Sequence, residues 1–372
     1  MTDLATSGKP EQLVPVRQRR VVEHLVQRGL LTSSDVVDRL IHVRDVTRRN
    51  RNYEVRAEGI SGWFLKQGTD PSSVRTVARE AEVTAHLRSR AGAAVLAALP
   101  ERLDYDPASG ILAVTLFDDV LSGEDYHRRV GKFPLSVGRS LGRILAGLHG
   151  TPPGSDAVWG DSSSPWVLGM HEPWLDSLRT ASGAGLAVLR LVQKDLACCE
   201  TLDALRRTWR PTSIVHNDLK WDNVLLFKKP GQRGRSVRVI DWELASLGDP
   251  TWDVGAVLAA YLASWVRSVP ANGERSSAGY AGSAGVPLAT ILPAQAAFWR
   301  EYTRAAGLDT VDQGPLVTRV MQMAAARLIL SAVESSQHAY RLSGDVVLLL
   351  QLASNMADRP LEAARHLCGI SA

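Results

Sequence analysis

The alternation of hydrophobic and polar residues changes rhythm near residue 117. Before it, apolar and polar positions alternate in short stretches at 40–43, 53–56, 62–66 and 110–116, the period-two mark of half-buried strands in an antiparallel sheet. Between the third and fourth, residues 74–87 repeat their apolar side chains at helical spacing, so one helix interrupts the sheet. Beyond residue 118 the spacing predicts helices at 137–148, 173–180, 184–207, 288–306, 316–342 and 345–367. A single hairpin, 223–227 with 236–242, stands among them, joined by KKPGQRGR. Two stretches rich in Gly, Ser and Pro, beginning at Thr151 and Ser268, read as loops or mobile lids. No internal repeat is evident.

Length sharpens this picture, because 372 residues exceed a usual single domain and call for two lobes or domains. The division expected is an N-terminal, partly helical extension over 1–34, a sheet-rich lobe over 35–117 and a helical lobe over 118–372. Hydrophobic residues make up 45%, ample for a core, yet no apolar run approaches the length of a membrane span. The first twenty residues carry acids, prolines and no apolar signal region, which places the chain in the cytoplasm as an expectation. Cys198 and Cys199 are adjacent and Cys368 is distant, a spacing that suits neither a disulfide framework nor a metal site. The net charge of +4 is mild and dispersed, so neither nucleic acid nor a membrane is an expected partner.

The candidate chemistry is concentrated in HNDLKWDN, residues 216–223, wedged between apolar Ile214-Val215 and Val224-Leu225-Leu226. The hairpin begins at this octet and ends at a second polar cluster, VIDWELASLGDPTWD, residues 239–253. A loop that enters a short hairpin, with an aspartate at the far end of the second strand, brings Asp218, Asn223 and Asp241 together. Oxygen-bearing side chains converging from a rigid turn suit a magnesium ion and a proton acceptor beside a nucleotide, the requirements of phosphoryl transfer.

The pattern H-x-D-x-x-x-x-N followed by I-D-W-E-x-A-x-x-G-D-P-x-x-D resembles the aminoglycoside phosphotransferase and choline kinase superfamily. The resemblance runs from the first strand near residue 40 to the terminal helices and implies an α+β, two-lobed protein-kinase-like fold. ATP and magnesium would bind in a cleft between the lobes, with a hinge at 116–119. It implies that Asp218 is the catalytic base or hydroxyl-orienting group and that Asn223 and Asp241 bind magnesium, while His216 and Asp253 brace the catalytic loop. Lys66, closing WFLK, resembles the lysine that contacts the α- and β-phosphates, and Glu80 the helix glutamate paired with it, with Glu82 the rival.

Two departures bear on function. No glycine-rich motif stands between the first two strands; DVTRRNRNYEV, 45–55, would have to cradle phosphate with backbone N–H groups, Asn50 or Asn52 at the bend and Arg48, Arg49 and Arg51 supplying charge. Lys220, two residues after Asp218, is the protein-kinase choice, a point charge that steadies the γ-phosphate. From residue 251 onward nine acids face nine arginines, so no acidic pocket for a polycation announces itself. Lys228, Lys229, Arg233, Arg235 and Arg238 make the hairpin basic, suited to an acidic partner or to water. Within the superfamily the chain is also similar to kinase-like proteins of class V lanthipeptide and related peptide natural-product clusters. That similarity implies phosphorylation of Ser or Thr in a precursor peptide, with a partner lyase. The alternatives are a small-molecule hydroxyl kinase, for an aminoglycoside, amino alcohol or sugar, and a pseudokinase scaffold.

Overall fold

The computed structural model of the chain describes residues 17–47, 50–117, 120–154, 158–173, 175–228, 234–269, 285–308 and 312–371. They fall into two units, Met1–Ala85 with Pro100–Asp119, and His86–Leu99 with Val120–Ala372. Residues 118 and 119 of the expected hinge lie outside the described set.

In the first unit, α1 (Gln18–Gln27) and α2 (Ser33–Asp38) precede β1 (Ile41–Asp45), β2 (Arg51–Ala57) and β3 (Ile60–Gln67). The chain then forms α3 (Pro71–Arg90), whose last turn belongs to the second unit, and returns as β4 (Leu103–Asp106) and β5 (Ile111–Thr115). The five strands are antiparallel in the order β1-β2-β3-β5-β4. Side chains alternate faces along a strand, and β3 divides them cleanly. Trp63 and Leu65 pack with Tyr53, Val55 and the Val21–Leu25 stripe of α1. On the opposite face Leu112 meets Val77 and Ala81 of α3. Helix α1 thus supplies core to the sheet, so residues from 17 on are part of this unit and not an extension of it. The strand β4 was not expected from sequence, because its four residues, LDYD, are all half-buried at the sheet edge.

The second unit adds α4 (Ala93–Leu96), β6 (Leu121–Ser122), α5 (Gly123–Val130), α6 (Leu135–His149), α7 (Leu175–Thr180), α8 (Gly183–Lys194) and α9 (Leu196–Arg207). Then come β7 (Ser213–Val215), β8 (Val224–Phe227), β9 (Ser236–Val239), β10 (Ser246–Gly248) and α10 (Pro250–Arg267). The chain ends with α11 (Leu292–Ala305), α12 (Gly314–Ser336), α13 (Gly344–Asp358) and α14 (Pro360–Cys368). The expected hairpin is β8–β9, joined by β6 into three strands, and β7 pairs with β10 as a separate ribbon.

Several helix boundaries differ from the expected ones. The segment 184–207 breaks at Asp195, whose carboxylate leaves α8 and caps α9 by accepting from Cys198 N–H at 3.0 Å. The segment 345–367 breaks at Arg359, ahead of Pro360, which disfavours a helical residue before it. Helix α10, absent from the sequence reading, is apolar on nearly every side and buried from Thr251 to Val266 with few exceptions, so it has no polar face to reveal a period. One described helix, α12, is long and apolar enough to cross a membrane by length and composition; 67% of its apolar window is buried inside the fold, which is what a core helix requires. Helix α6 packs closely on α11. Gly138 and Gly142 allow it, since a Cβ on either would stand 2.4 Å from the Ala294 carbonyl or 2.7 Å from that of Phe298.

Candidate active site

The buried residues Ile214 and Val215 end strand β7 and lead directly into the polar octet. Asn217 takes φ +67°, a left-handed conformation that asparagine tolerates better than most residues. This turn reverses the chain and presents Asp218, whose side chain is 15% exposed. Its surroundings hold it closely. Asn223 Nδ2 donates to the Asp218 carbonyl at 2.8 Å and to Asp218 Oδ2 at 3.0 Å. Lys220 Nζ lies 2.8 Å from the same Oδ2. Burial lowers the lysine pKa, but the charge and hydrogen bond of Asp218 outweigh it, and the net shift is upward.

Hairpin register carries the second cluster to the same place. Val224 pairs with Val239, and Ile240 N–H donates to the Asn223 carbonyl at 3.0 Å, so Asn223 and Asp241 end adjacent strands at one open end. Asp241 itself is left-handed, with φ +67°. His216, fully buried, links loop to hairpin: Nδ1 accepts from Asp218 N–H at 3.3 Å, so Nε2 carries the proton and donates to the Ile240 carbonyl at 3.0 Å. With Asn223 Nδ2 committed to Asp218, Oδ1 is the atom of that amide left to coordinate. A carboxamide oxygen beside a carboxylate is the hard donor set that magnesium takes, so these residues fit that ion.

The loop is held from behind by three helices. Asp253 of α10 is fully buried; its carboxylate accepts from His216 N–H at 2.6 Å and from Asn217 N–H at 3.1 Å. His149, ending α6, brings Nε2 to 3.6 Å from Asp253, and its Nδ1 meets the Tyr302 hydroxyl of α11 at 3.0 Å. Arg327 of α12 donates to the carbonyls of Asn217 and Leu219 at 3.3 and 3.0 Å. Sequence reading set His149 aside and did not single out Asn217 or Arg327. A signal for Arg327 was present, namely a lone charge inside MAAARLIL, an apolar helical run that would bury it and so demand partners.

In the first unit Lys66 Nζ lies 3.0 Å from Glu80 Oε2, both side chains nearly buried at 11% and 13% exposure. Of the two candidate glutamates, Glu80 meets the lysine because Lys66 points from β3 toward α3. Asn52 pairs across the sheet with Lys66 and therefore shares its face. Among the described residues, the Oδ1 atoms of Asn52 and of buried Asn50 have no hydrogen-bond partner. Arg48 and Arg49 lie outside the described residues.

The basic hairpin is less available than its composition suggested. Arg238 is 6% exposed, donates to the Leu99 carbonyl and stacks 5.3 Å over Phe227. Arg235 lies 4.5 Å over the Tyr126 ring. Lys228 is exposed, while Lys229 and Arg233 are outside the described residues. Elsewhere, His171, Glu172 and Asp203 form a group with metal-ligating atoms, into which Arg206 already brings a cation, 3.0 Å from Glu172 and 3.4 Å from Asp203.

A family model described as the phosphotransferase enzyme family matches residues 43–285, more than half of the chain. No curated protein matches by sequence. Among solved structures, a choline kinase from Cryptosporidium parvum Iowa II is similar at 10% identity and a TM-score of 0.57, covering 94% of this chain and 98% of that one. The GDP complex of aminoglycoside 2'-phosphotransferase-IIIa matches at 13% identity and 0.54, covering 91% and 99%. A spectinomycin phosphotransferase in complex with ADP and spectinomycin matches at 10% and 0.50, covering 93% and 99%. At such identities the likeness is one of fold, and the fold is kinase-like.

Proposed function

Because the chain belongs to the phosphotransferase enzyme family, we propose that it is a kinase that uses ATP and magnesium to phosphorylate a hydroxyl group on a small organic molecule. The observation that carries the reading is the Asp218–Asn223 pair, in which one amide fixes a carboxylate and keeps its own oxygen for a metal. Magnesium, held by Asn223 and Asp241, would offset the negative charge of the terminal phosphates. Asp218 orients the acceptor hydroxyl and takes its proton as the oxygen attacks the γ-phosphorus and the bond to the β-phosphate oxygen breaks. Lys220 begins on Asp218 and has a partly exposed, flexible stem, so it can follow the transferred phosphoryl group. Lys66, set by Glu80, is assigned to the α- and β-phosphates, with Asn52 beside it on the sheet.

The small-molecule acceptor draws support from similar structures named for choline, spectinomycin and aminoglycosides. The reading of a precursor-peptide kinase with a partner lyase loses part of its basis, since Arg235 and Arg238 are engaged with Tyr126, Phe227 and the Leu99 carbonyl. The deciding experiment offers labelled ATP and magnesium with panels of amino alcohols, aminoglycosides, sugars and Ser/Thr-rich leader-bearing peptides. Turnover of a small molecule is expected, and Asp218→Asn should reduce it by about 10²- to 10⁴-fold at nearly unchanged ATP affinity. Undiminished turnover by that variant would remove Asp218 from its role. Turnover of peptides alone would replace the acceptor class.

A further inference from the structure

Arg327 stands in the middle of α12, flanked by Ala324, Ala325, Ala326, Leu328 and Ile329, and is 5% exposed. A guanidinium remains charged at any ordinary pH, so burying one is costly unless its donors are used. Here Nη1 donates to the Asn217 carbonyl at 3.3 Å and Nη2 to the Leu219 carbonyl at 3.0 Å, the residues on either side of Asp218. Its central carbon lies 5.1 Å over the ring of Trp252, whose Nε1–H donates to the same Asn217 carbonyl at 3.2 Å. Nη2 is 3.9 Å from Asp218 Oδ1.

The other arginine facing inward from α12 supplies a contrast. Arg319 is matched by a carboxylate, donating through Nε and Nη2 to Asp249 Oδ2 at 3.1 and 2.5 Å, and it also holds Thr208. That is the pattern of a structural ion pair. Arg327 instead spends its donors on carbonyls, and among the described residues the carboxylate in its ion-pair range is Asp218 itself. Lys220, 38% exposed on a flexible stem, can leave Asp218; Arg327, buried and planar, cannot follow it.

We propose that Arg327 is a positioning residue for phosphoryl transfer: it fixes the Asn217–Asp218 and Leu219–Lys220 peptide units and keeps a stationary positive charge beside the carboxylate when Lys220 moves to phosphate. The inference rests on the reading of Asp218 as proton acceptor. Misplacing a reacting group by about 1 Å can cost about 10²-fold in rate. Loss of Arg327 should therefore appear in kcat and leave the binding of both substrates nearly alone.

The test is steady-state and single-turnover kinetics of Arg327→Met and Arg327→Lys, alone and combined with Asp218→Asn, with thermal melts recorded alongside. Arg327→Met should lower kcat by about 10- to 100-fold with both KM values little changed. Arg327→Lys, which keeps charge but cannot hold both carbonyls with one planar group, should recover part of the loss and serves if the methionine variant does not fold. In the Asp218→Asn background Arg327→Met should cost almost nothing further, because residues that act as a unit are not additive. If the loss adds in full in that background, or if kcat is unchanged in both Arg327 variants while Asp218→Asn collapses, the inference is overturned on its own. Full turnover by Asp218→Asn overturns the base assignment and this inference together.

Discussion

Asn217 gathers the contacts of the 216–223 loop at one residue. Its φ is left-handed, its N–H is taken by Asp253, and its amide Nδ2 donates to the Leu244 carbonyl at 3.0 Å and Ser246 Oγ at 2.7 Å. A residue with Cβ but no polar side chain must hold this φ at a cost of about 1–2 kcal/mol, and Asn217→Ala also loses both side-chain bonds. Asn217→Gly relieves the backbone and loses only the bonds, so urea unfolding should rank stability as wild type, then glycine, then alanine. Equal loss in both would mean that the backbone conformation contributes nothing. The same scale separates what was readable in the sequence from what was not. Asp218, Asn223, Asp241, His216 and Asp253 sit in two short motifs whose spacing forces them together. Arg327 and His149 act from helices remote in sequence, and only the fold brings them to the loop.

At the scale of elements, amphipathic periodicity revealed segments with one wet face and failed where both faces are dry. Strands β1 to β3 and the helix α3 were legible because each shows water a polar side; β4, half-buried throughout, and α10, dry on nearly every side, were missed. Breaks inside helices were missed because Asp195 and Arg359–Pro360 interrupt an apolar period without ending it. The contact of α6 on α11 depends on two residues that periodicity does not report. Gly138→Ala places a Cβ 2.4 Å from the Ala294 carbonyl, backbone that cannot swing aside, so the helices must separate at a cost of about 1–3 kcal/mol. A lower urea midpoint at unchanged m-value is the expected result. Helix α5 makes a different dependence. His127 is stacked 4.1 Å on Phe133 and lies 4.5 Å from Trp221 of the 216–223 loop; burial depresses its pKa from 6.5 to about 4. Because the unfolded chain takes up the proton more readily, the stability from the neutral ring is complete above pH 6.5 and is lost as pH falls through about 4. The loss amounts to about 3 kcal/mol at most. His127→Phe should flatten this part of the pH dependence in chemical unfolding; an unchanged slope would locate the acid sensitivity elsewhere.

Across the whole molecule the sequence disclosed the division into a sheet unit and a helical unit, because a change of period survives errors at individual boundaries. It could not show that α1 belongs to the sheet core, since three valines and a leucine in an arginine-rich stretch look like a surface helix until the sheet face they cover is known. The roles proposed for Lys66 and Asp241 differ in chemistry, a direct charge on phosphate for the one and a ligand to magnesium for the other. This difference gives a prediction that separates nucleotide contacts by chemistry. A ligand that binds only the folded chain stabilises it by about 2.7 kcal/mol at a hundredfold excess over its Kd. Magnesium-ATP should therefore raise the melting temperature of the intact protein. Lys66→Ala should diminish the shift whether or not magnesium is present, because its role is a direct charge on phosphate. Asp241→Ala should diminish it only with magnesium, because its role is to hold the ion, and adenosine should give a small shift that neither variant alters. The comparison is made by differential scanning fluorimetry with each nucleotide at matched saturation. If Asp241→Ala weakens the shift equally in the presence of a chelator, the metal assignment fails while the lysine assignment stands. If neither variant changes any shift, both phosphate assignments fail, whatever the acceptor.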